Sequence, residues 1–287
     1  MSDVLVLCYH AVSPSWPAPM SIAPDAFERQ LRFLVRRGYR AATVAEALSD
    51  PPAPRTVAIT FDDAYRSVLE LARPILDRLG MPASVYVPTA WAGRDAPMSW
   101  PGIDQWVGGP HEHELRCMTW EELTGLADHG WEVGSHTRSH PRLPELDDAA
   151  LDGELAGSRT DCESGLGREC ESLAYPYGAV DRRVVAAAER AGYRHAVTLP
   201  RGLHRPEPLH SCPAKIRERP VLRAYSAHKS GRWASACCPL SLIAIPAPPT
   251  AVSCTARRCA LRARASAGSR PGPPETGPSP GPRCGPS

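Results

Sequence analysis

The sequence predicts an α/β protein built on a parallel sheet or barrel of about seven strands. Three observations predict it. Short apolar runs alternate with amphipathic segments over the first 210 of the 287 residues. The apolar runs are continuous, as expected of strands buried on both faces. Glycine or a capping pair punctuates most of the amphipathic segments. Strands that alternate with helices in this way form parallel sheets or barrels.

The elements follow in order. Residues 4–9 form a continuous apolar run, the first strand. Residues 24–37 carry Phe27, Leu31, Leu34 and Val35 at helical spacing, and Gly38 stands where the helix should stop. Residues 39–43 make a short strand, and Thr43 with Glu46 is a capping box for a short helix. Residues 57–61 are a second buried strand, followed by a helix over 65–79 that ends at Gly80. Residues 83–87 are a strand. Thr119 and Glu122 form another capping box, and their helix ends at Gly130. Strands at 131–135, 172–175 and 195–199 complete the set, separated by helices over 147–165 and from the Asp181 cap to Gly192.

The remaining residues, 211–287, differ in kind. They hold twelve basic residues and two acidic ones, 13 of the 32 prolines and six of the ten cysteines. The first 210 residues hold 21 basic and 29 acidic residues. A basic arm for nucleic acid would cluster its charges and interleave aromatics; here they are diluted among Pro, Ala and Cys. Such a segment cannot bury enough apolar surface to offset its ordering entropy. We expect a disordered or frame-shifted tail and no nucleic-acid partner. No run of 18 apolar residues appears, which argues against a membrane-spanning helix. The start lacks a basic stretch before its apolar run, so a cytoplasmic location is expected.

In closed α/β barrels the chemistry sits at the C-terminal ends of the strands. The polar residues there are His10, Asp62, Asp63, His136, His140 and Tyr177. Adjacent carboxylates repel unless a cation is present, and a divalent ion can take one of them while the other stays free as a base. The alternative reading is that Asp63 caps the helix that follows. His136 and His140 stand four apart, and Pro141 disfavours helical backbone at His140. Two imidazoles and one carboxylate leave room on a metal for water and substrate. His111 and His113 lie in the insertion over 91–116 and either line a substrate groove or belong to a flexible loop on the barrel rim, and His129 stands at a helix C-terminus, where its charge is favourable. Trp91, Trp100 and Trp106 fall in a Trp-, Gly- and Pro-rich insertion over 91–116. They either line a sugar-binding groove or pack on the barrel rim. Cys8, Cys117, Cys162 and Cys170 show no Cys-x-x-Cys spacing and are expected as free thiols.

Four segments together resemble one family. Thr60-Phe61-Asp62-Asp63 resembles the first motif of the polysaccharide deacetylases, also called the nodulation-protein-B homology domain. Residues 135–141, Ser-His-Thr-Arg-Ser-His-Pro, resemble the second motif, and 174–178, Ala-Tyr-Pro-Tyr-Gly, the third. Residues 8–12, Cys-Tyr-His-Ala-Val, resemble the branch that opens with a Tyr-His pair. The resemblance runs from about residue 5 to 199. It implies a deformed (β/α) barrel and removal of an N-acetyl group from an amino sugar or polysaccharide. It implies that Asp63, His136 and His140 hold a divalent metal, expected to be zinc. Asp62 would be the general base, the backbone N–H of Tyr177 would stabilise the oxyanion, and His10 would be the general acid.

Three departures stand out. Ala64 replaces a glycine that usually follows the first motif. The arginine that many members place before the third motif is absent, since Leu173, Ala174 and Tyr175 stand there. After about residue 208 the likeness ends, and a missing final strand would leave bare sheet edges. Two other functions remain open: an impaired or truncated member that binds carbohydrate without turning it over, and a hydrolase of a cyclic imide or ureide.

Overall fold

The structure is a computed structural model and describes residues 4–48 and 53–199, together with the backbone of two short strands at 221–223 and 225–226. The chain divides into two units, Met1–Pro246 and Ala247–Ser287. The second lies outside the described residues, as does all of the expected tail apart from those two strands.

Seven predicted strands are present: β1 (Val4–Tyr9), β4 (Arg40–Ala42), β5 (Thr56–Phe61), β6 (Ser84–Val87), β7 (Glu132–Ser135), β8 (Ser172–Ala174) and β9 (His195–Thr198). A separate pair, β2 (Ala11–Val12) with β3 (Ser21–Ile22), follows the first strand. Every pairing in the main sheet is parallel, in the order β9-β8-β7-β6-β5-β1. Parallel strands need long crossovers, and the helices supply them. β5 is paired on both edges. It pairs with β1 along its whole length, and its other edge is shared by β4 at Thr56–Ala58 and β6 at Thr60–Phe61. All six residues of β5 are buried, in accord with its unbroken apolar run.

Two further strands lie inside the segment expected to be irregular. β10 (Val221–Arg223) pairs with β9, and β11 (Tyr225–Ser226) pairs with β1. One residue separates them, so a short stretch of chain bridges the two outer strands of the curled sheet. The architecture is a (β/α) barrel, as expected.

The helices are α1 (Pro24–Arg36), α2 (Val44–Ala47), α3 (Arg73–Leu79), α4 (Trp120–Asp128), α5 (Asp148–Leu166) and α6 (Arg182–Arg190). Both capping boxes form. Glu46 N donates to Thr43 Oγ1 at 3.3 Å, and the Thr43 N–H donates to the Glu46 carboxylate at 2.9 Å. Thr119 and Glu122 repeat the arrangement at α4. Asp181 caps α6 through Val184 N at 2.8 Å.

One helix differs from expectation. The segment 65–79 is not a single α-helix. It is helical from Arg66, passes through a π-helical turn at Val68–Ala72 and continues as α3 from Arg73. Tyr65 bridges to Cys117, Arg66 N donates to Arg116 O, and Met118 N donates to Ala64 O. These bonds tie residues 64–66 to the insertion, and the helix starts only after Tyr65. Asp63 therefore does not act as the cap of this helix, which begins at Arg66, directly after Tyr65.

The insertion 91–116 carries two 3₁₀ turns, Asp104–Trp106 and Glu112–Leu115. Met98, Trp100, Ile103 and Leu115 are buried in it. It packs on the rim of the barrel and belongs to the main core.

Candidate active site

Each predicted polar residue emerges where a parallel strand ends. The register of β1 against β5 pairs Tyr9 with Phe61, so His10 and Asp62 leave the sheet side by side. The Asp62 N–H donates to Tyr9 O at 2.9 Å and extends that pairing by one step. His136 follows β7, and its N–H donates to Val87 O of β6 at 2.8 Å. Tyr177 follows β8 in a tight turn over Pro176–Gly178.

Asp63, His136 and His140 converge. Asp63 Oδ1 lies 3.5 Å from His136 Nε2 and 3.4 Å from His140 Nε2, and all three side chains are nearly fully buried. One ligand atom from each falls within 4.8 Å of the other two. Among the described residues, Asp63 Oδ1 accepts no hydrogen bond although it is buried. His136 Nδ1 is 2.8 Å from Ala174 O. That contact places the proton on Nδ1 and leaves Nε2 as a lone pair facing Asp63. Burial holds both imidazoles below their ordinary pKa, His140 the more strongly because His136 and His10 also oppose its charge. Burial, and then the charge of Asp62, push the Asp63 carboxyl well above the usual range. Two neutral imidazoles and a carboxylate that has no hydrogen-bonding partner for one oxygen fit a divalent cation, which relieves that cost.

The backbone here is held in unusual conformations. Of the six non-glycine residues with positive φ among those described, five lie in this site: Asp63 (68°), Ala64 (47°), Thr137 (66°), His140 (62°) and Tyr177 (58°). Such strain persists only where neighbours enforce it, and it gathers at functional sites. For Thr137 the enforcers are visible. Its N–H donates to Ser135 Oγ at 3.1 Å, its carbonyl accepts from Thr89 N at 3.0 Å, and its Oγ1 accepts from His140 N at 3.2 Å.

Three residues of α5 that no motif indicated hold the loop between the two histidines. The Glu154 carboxylate accepts from the N–H groups of Arg138 and Ser139 at 2.8 and 2.9 Å, and from Ser139 Oγ at 2.6 Å. Asp161 accepts from Thr89 Oγ1 at 2.7 Å and Arg138 Nε at 2.9 Å. Ser158 Oγ meets Ser135 Oγ at 2.9 Å. Residues 154, 158 and 161 repeat at helical spacing, a polar stripe that was readable in the sequence.

Beside the first cluster sits a second. Cys8, His10 and Asp62 each place one ligand-type atom within 4.8 Å of the other two. The Cys8 thiol donates to Asp62 Oδ2 at 3.4 Å. Burial, followed by the Asp62 charge, raises the Cys8 thiol well above its ordinary pKa. Burial lowers His10, with Asp62 pulling the other way. Tyr175, with Asp62, Val197, Thr198 and Leu199, lines a small cavity.

The predicted aromatic residues are placed as follows. Trp100 is 7% exposed and its indole stacks on the His140 imidazole, with centroids 4.3 Å apart. Trp91 is half-buried and meets Trp100 edge-on at 5.9 Å. Trp106 packs against Trp16 and His111. Tyr177 lies edge-on to His140 at 4.6 Å, carries the Arg142 guanidinium over its ring, and donates its hydroxyl to Pro101 O at 3.1 Å. The four early cysteines are free and buried.

The chain is similar to known proteins in sequence and in fold. The YxkH protein of Bacillus subtilis is 28% identical over 198 residues, which cover 67% of this chain and 63% of that one. A poly-beta-1,6-N-acetyl-D-glucosamine N-deacetylase of Staphylococcus aureus is 23% identical over 192 residues, 62% of this chain and 61% of the relative. The chain thus spans under two thirds of the length of these relatives. Among solved structures, a polysaccharide deacetylase from Bacillus cereus aligns with a TM-score of 0.61 at 23% identity, covering 79% of this chain and 65% of that one. IcaB from Ammonifex degensii aligns with a TM-score of 0.60 at 24% identity, covering 79% and 92%. These likenesses establish the fold. The family profile for polysaccharide deacetylase matches residues 49–196, just over half of the sequence, and the chain belongs to that family.

Proposed function

We propose that the barrel hydrolyses the N-acetyl amide of an N-acetylated amino sugar, with one divalent ion, zinc by preference, held by Asp63, His136 and His140. The observation that supports this most is the convergence of three buried ligand atoms within 4.8 Å of one another, next to a second carboxylate that can act as a base. When bound, the ion supplies Lewis acidity to the amide carbonyl and to the attacking water.

The chain's own residues do the rest. Asp62, adjacent to the ligand Asp63 and only slightly exposed, takes the proton from the attacking water. The amide oxygen gains charge as water adds. The backbone N–H of Tyr177, presented by a left-handed turn beside His140, donates to it. The leaving amine must be protonated before it departs. His10 lies beside Asp62 and passes a proton to that nitrogen. Trp100 and Tyr177 hold the His140 ring, and Trp91 contributes an aromatic surface at the rim for a sugar face.

The named substrate of the Staphylococcus relative, a polymer of N-acetylglucosamine, supports an N-acetylated amino-sugar polymer as the substrate class. We take residues 1–210 as the barrel domain and residues 211–287 as a tail that lends it the two short strands β10 and β11. The test is acetate release from chitooligosaccharides and from poly-N-acetylglucosamine fragments by metal-loaded protein. Release from either supports the reading. Sugar binding with no acetate released under any metal replaces it with a binding role, and hydrolysis confined to cyclic imides or ureides replaces the substrate class.

A further inference from the structure

The cluster of Cys8, His10 and Asp62 is separate from the three residues proposed to hold the catalytic ion. It arises from the same strand pair. Alternation along β1 puts residues 8 and 10 on one face. The register of β1 on β5 sets Cys8 opposite Thr60, and so brings His10 level with Asp62. A thiol, an imidazole and a carboxylate therefore meet at one strand end, with one atom of each within 4.8 Å of the others. The Cys-Tyr-His spacing that produces this is visible in the sequence, although Cys-x-x-Cys is absent.

Two observations indicate that the cluster suits a ligand. Among the described residues, Asp62 Oδ1 is buried and accepts no hydrogen bond, while Oδ2 takes only the weak thiol donor of Cys8 at 3.4 Å. The carboxylate is thus poorly satisfied for a group only 9% exposed. The donor set also differs in kind from its neighbour. Asp63, His136 and His140 offer nitrogen and oxygen alone, whereas the second cluster adds sulfur, which favours softer ions.

We propose that Cys8, His10 and Asp62 form a second divalent-metal site, of softer character, that takes a thiophilic ion such as cadmium, or zinc in excess. Binding forms a metal–sulfur bond and releases the thiol proton to solvent. The ion occupies Asp62 and His10 and so stops turnover. That consequence rests on the roles proposed for those two residues in the reaction, but the existence of the site does not.

The experiment is a cadmium titration of the full-length protein, followed by equilibrium dialysis and by the ultraviolet thiolate-to-cadmium charge-transfer absorbance. Sulfur atoms elsewhere add a constant background, so each variant is read against wild type. Cys8→Ser should lose one bound equivalent together with part of the absorbance. Asp62→Asn, which keeps the thiol, should lose the same equivalent and guards against a folding defect in the first variant. His140→Ala should lose a different equivalent and keep the absorbance. Unchanged stoichiometry and absorbance in both Cys8→Ser and Asp62→Asn overturn the second site. An unchanged count in His140→Ala instead overturns the catalytic metal assignment and leaves the second site standing.

Discussion

The indole of Trp100 stacks on the imidazole of His140, with ring centroids 4.3 Å apart and planes inclined by 25°. Trp100 comes from the insertion and His140 from the loop after β7, so the contact joins a rim segment to a proposed metal ligand. The Tyr177 hydroxyl makes a second tie, to Pro101 O, the residue after Trp100. Together they hold the His140 ring from two sides, as supporting residues do around metal sites.

Trp100→Ala should therefore do two things. Removing a side chain that is 7% exposed should cost about 3–5 kcal/mol of stability. It should also weaken metal retention by roughly 10- to 100-fold, as loss of a ligand-orienting contact does. Trp100→Phe should recover much of both. Thermal unfolding and metal content after dialysis report the two effects. Full retention in Trp100→Ala would show that His140 is positioned without it.

The two carboxylates should separate cleanly. Asp62→Asn should keep the metal and lose activity by roughly 10²–10⁴-fold, the usual range for a general base. Asp63→Asn should lose the metal itself. Exchanged phenotypes would mean that base and ligand have been assigned in reverse.

Ala64 carries a φ of +47°, enforced by the bond from Met118 N to its carbonyl. Left-handed backbone costs an L-residue about 1–2 kcal/mol. Glycine adopts it freely but loses about 0.5–1 kcal/mol in chain entropy. Ala64→Gly should thus raise stability by roughly 0.5–1 kcal/mol, readable as a higher denaturant midpoint. A lower midpoint would mean that the Ala64 methyl packs more favourably than its backbone is strained.

Metal-free protein should lose stability on acidification. Burial keeps His136 and His140 below their ordinary pKa, with His10 shifted the same way. As pH falls below about 6.5 the unfolded chain binds protons that the folded chain refuses, at about 1.4 kcal/mol per pH unit per group. Asp63, raised by burial, opposes this with a single group, because its folded form holds a proton that the unfolded form has lost above about pH 4. The histidines outnumber it. The unfolding midpoint should fall from pH 7 to pH 5, and less steeply in His140→Asn. Equal slopes in the two proteins would show that His140 titrates normally when folded.

Much of this site was legible in the sequence because strand ends in a parallel barrel gather on one face. The apolar run before Asp62 and Asp63, and the Pro141 that follows His140, were enough to place those residues. The left-handed backbone at Ala64 is one that glycine adopts freely, but its cause, the pairing of residues 64–66 with 116–118, is long-range and leaves no local signal. The π-helical turn at Val68–Ala72 has no local sequence signal either. Glu154 and Asp161 were missed because polar residues on a helix read as solvent-facing until the loop they hold is known. Trp100 was read as a groove or rim residue, since aromatic content alone does not show which ring it will cover.

The most direct test of the central claim is metal content measured together with acetate release, in wild type and in the His136→Ala/His140→Ala double variant. Both proteins are loaded with zinc, dialysed, and given an N-acetylglucosamine oligomer. The structure predicts that wild type retains a histidine-bound ion and releases acetate, while the double variant loses that ion and releases none. A double variant that keeps the wild-type metal content, or that still releases acetate at the wild-type rate, would contradict the account.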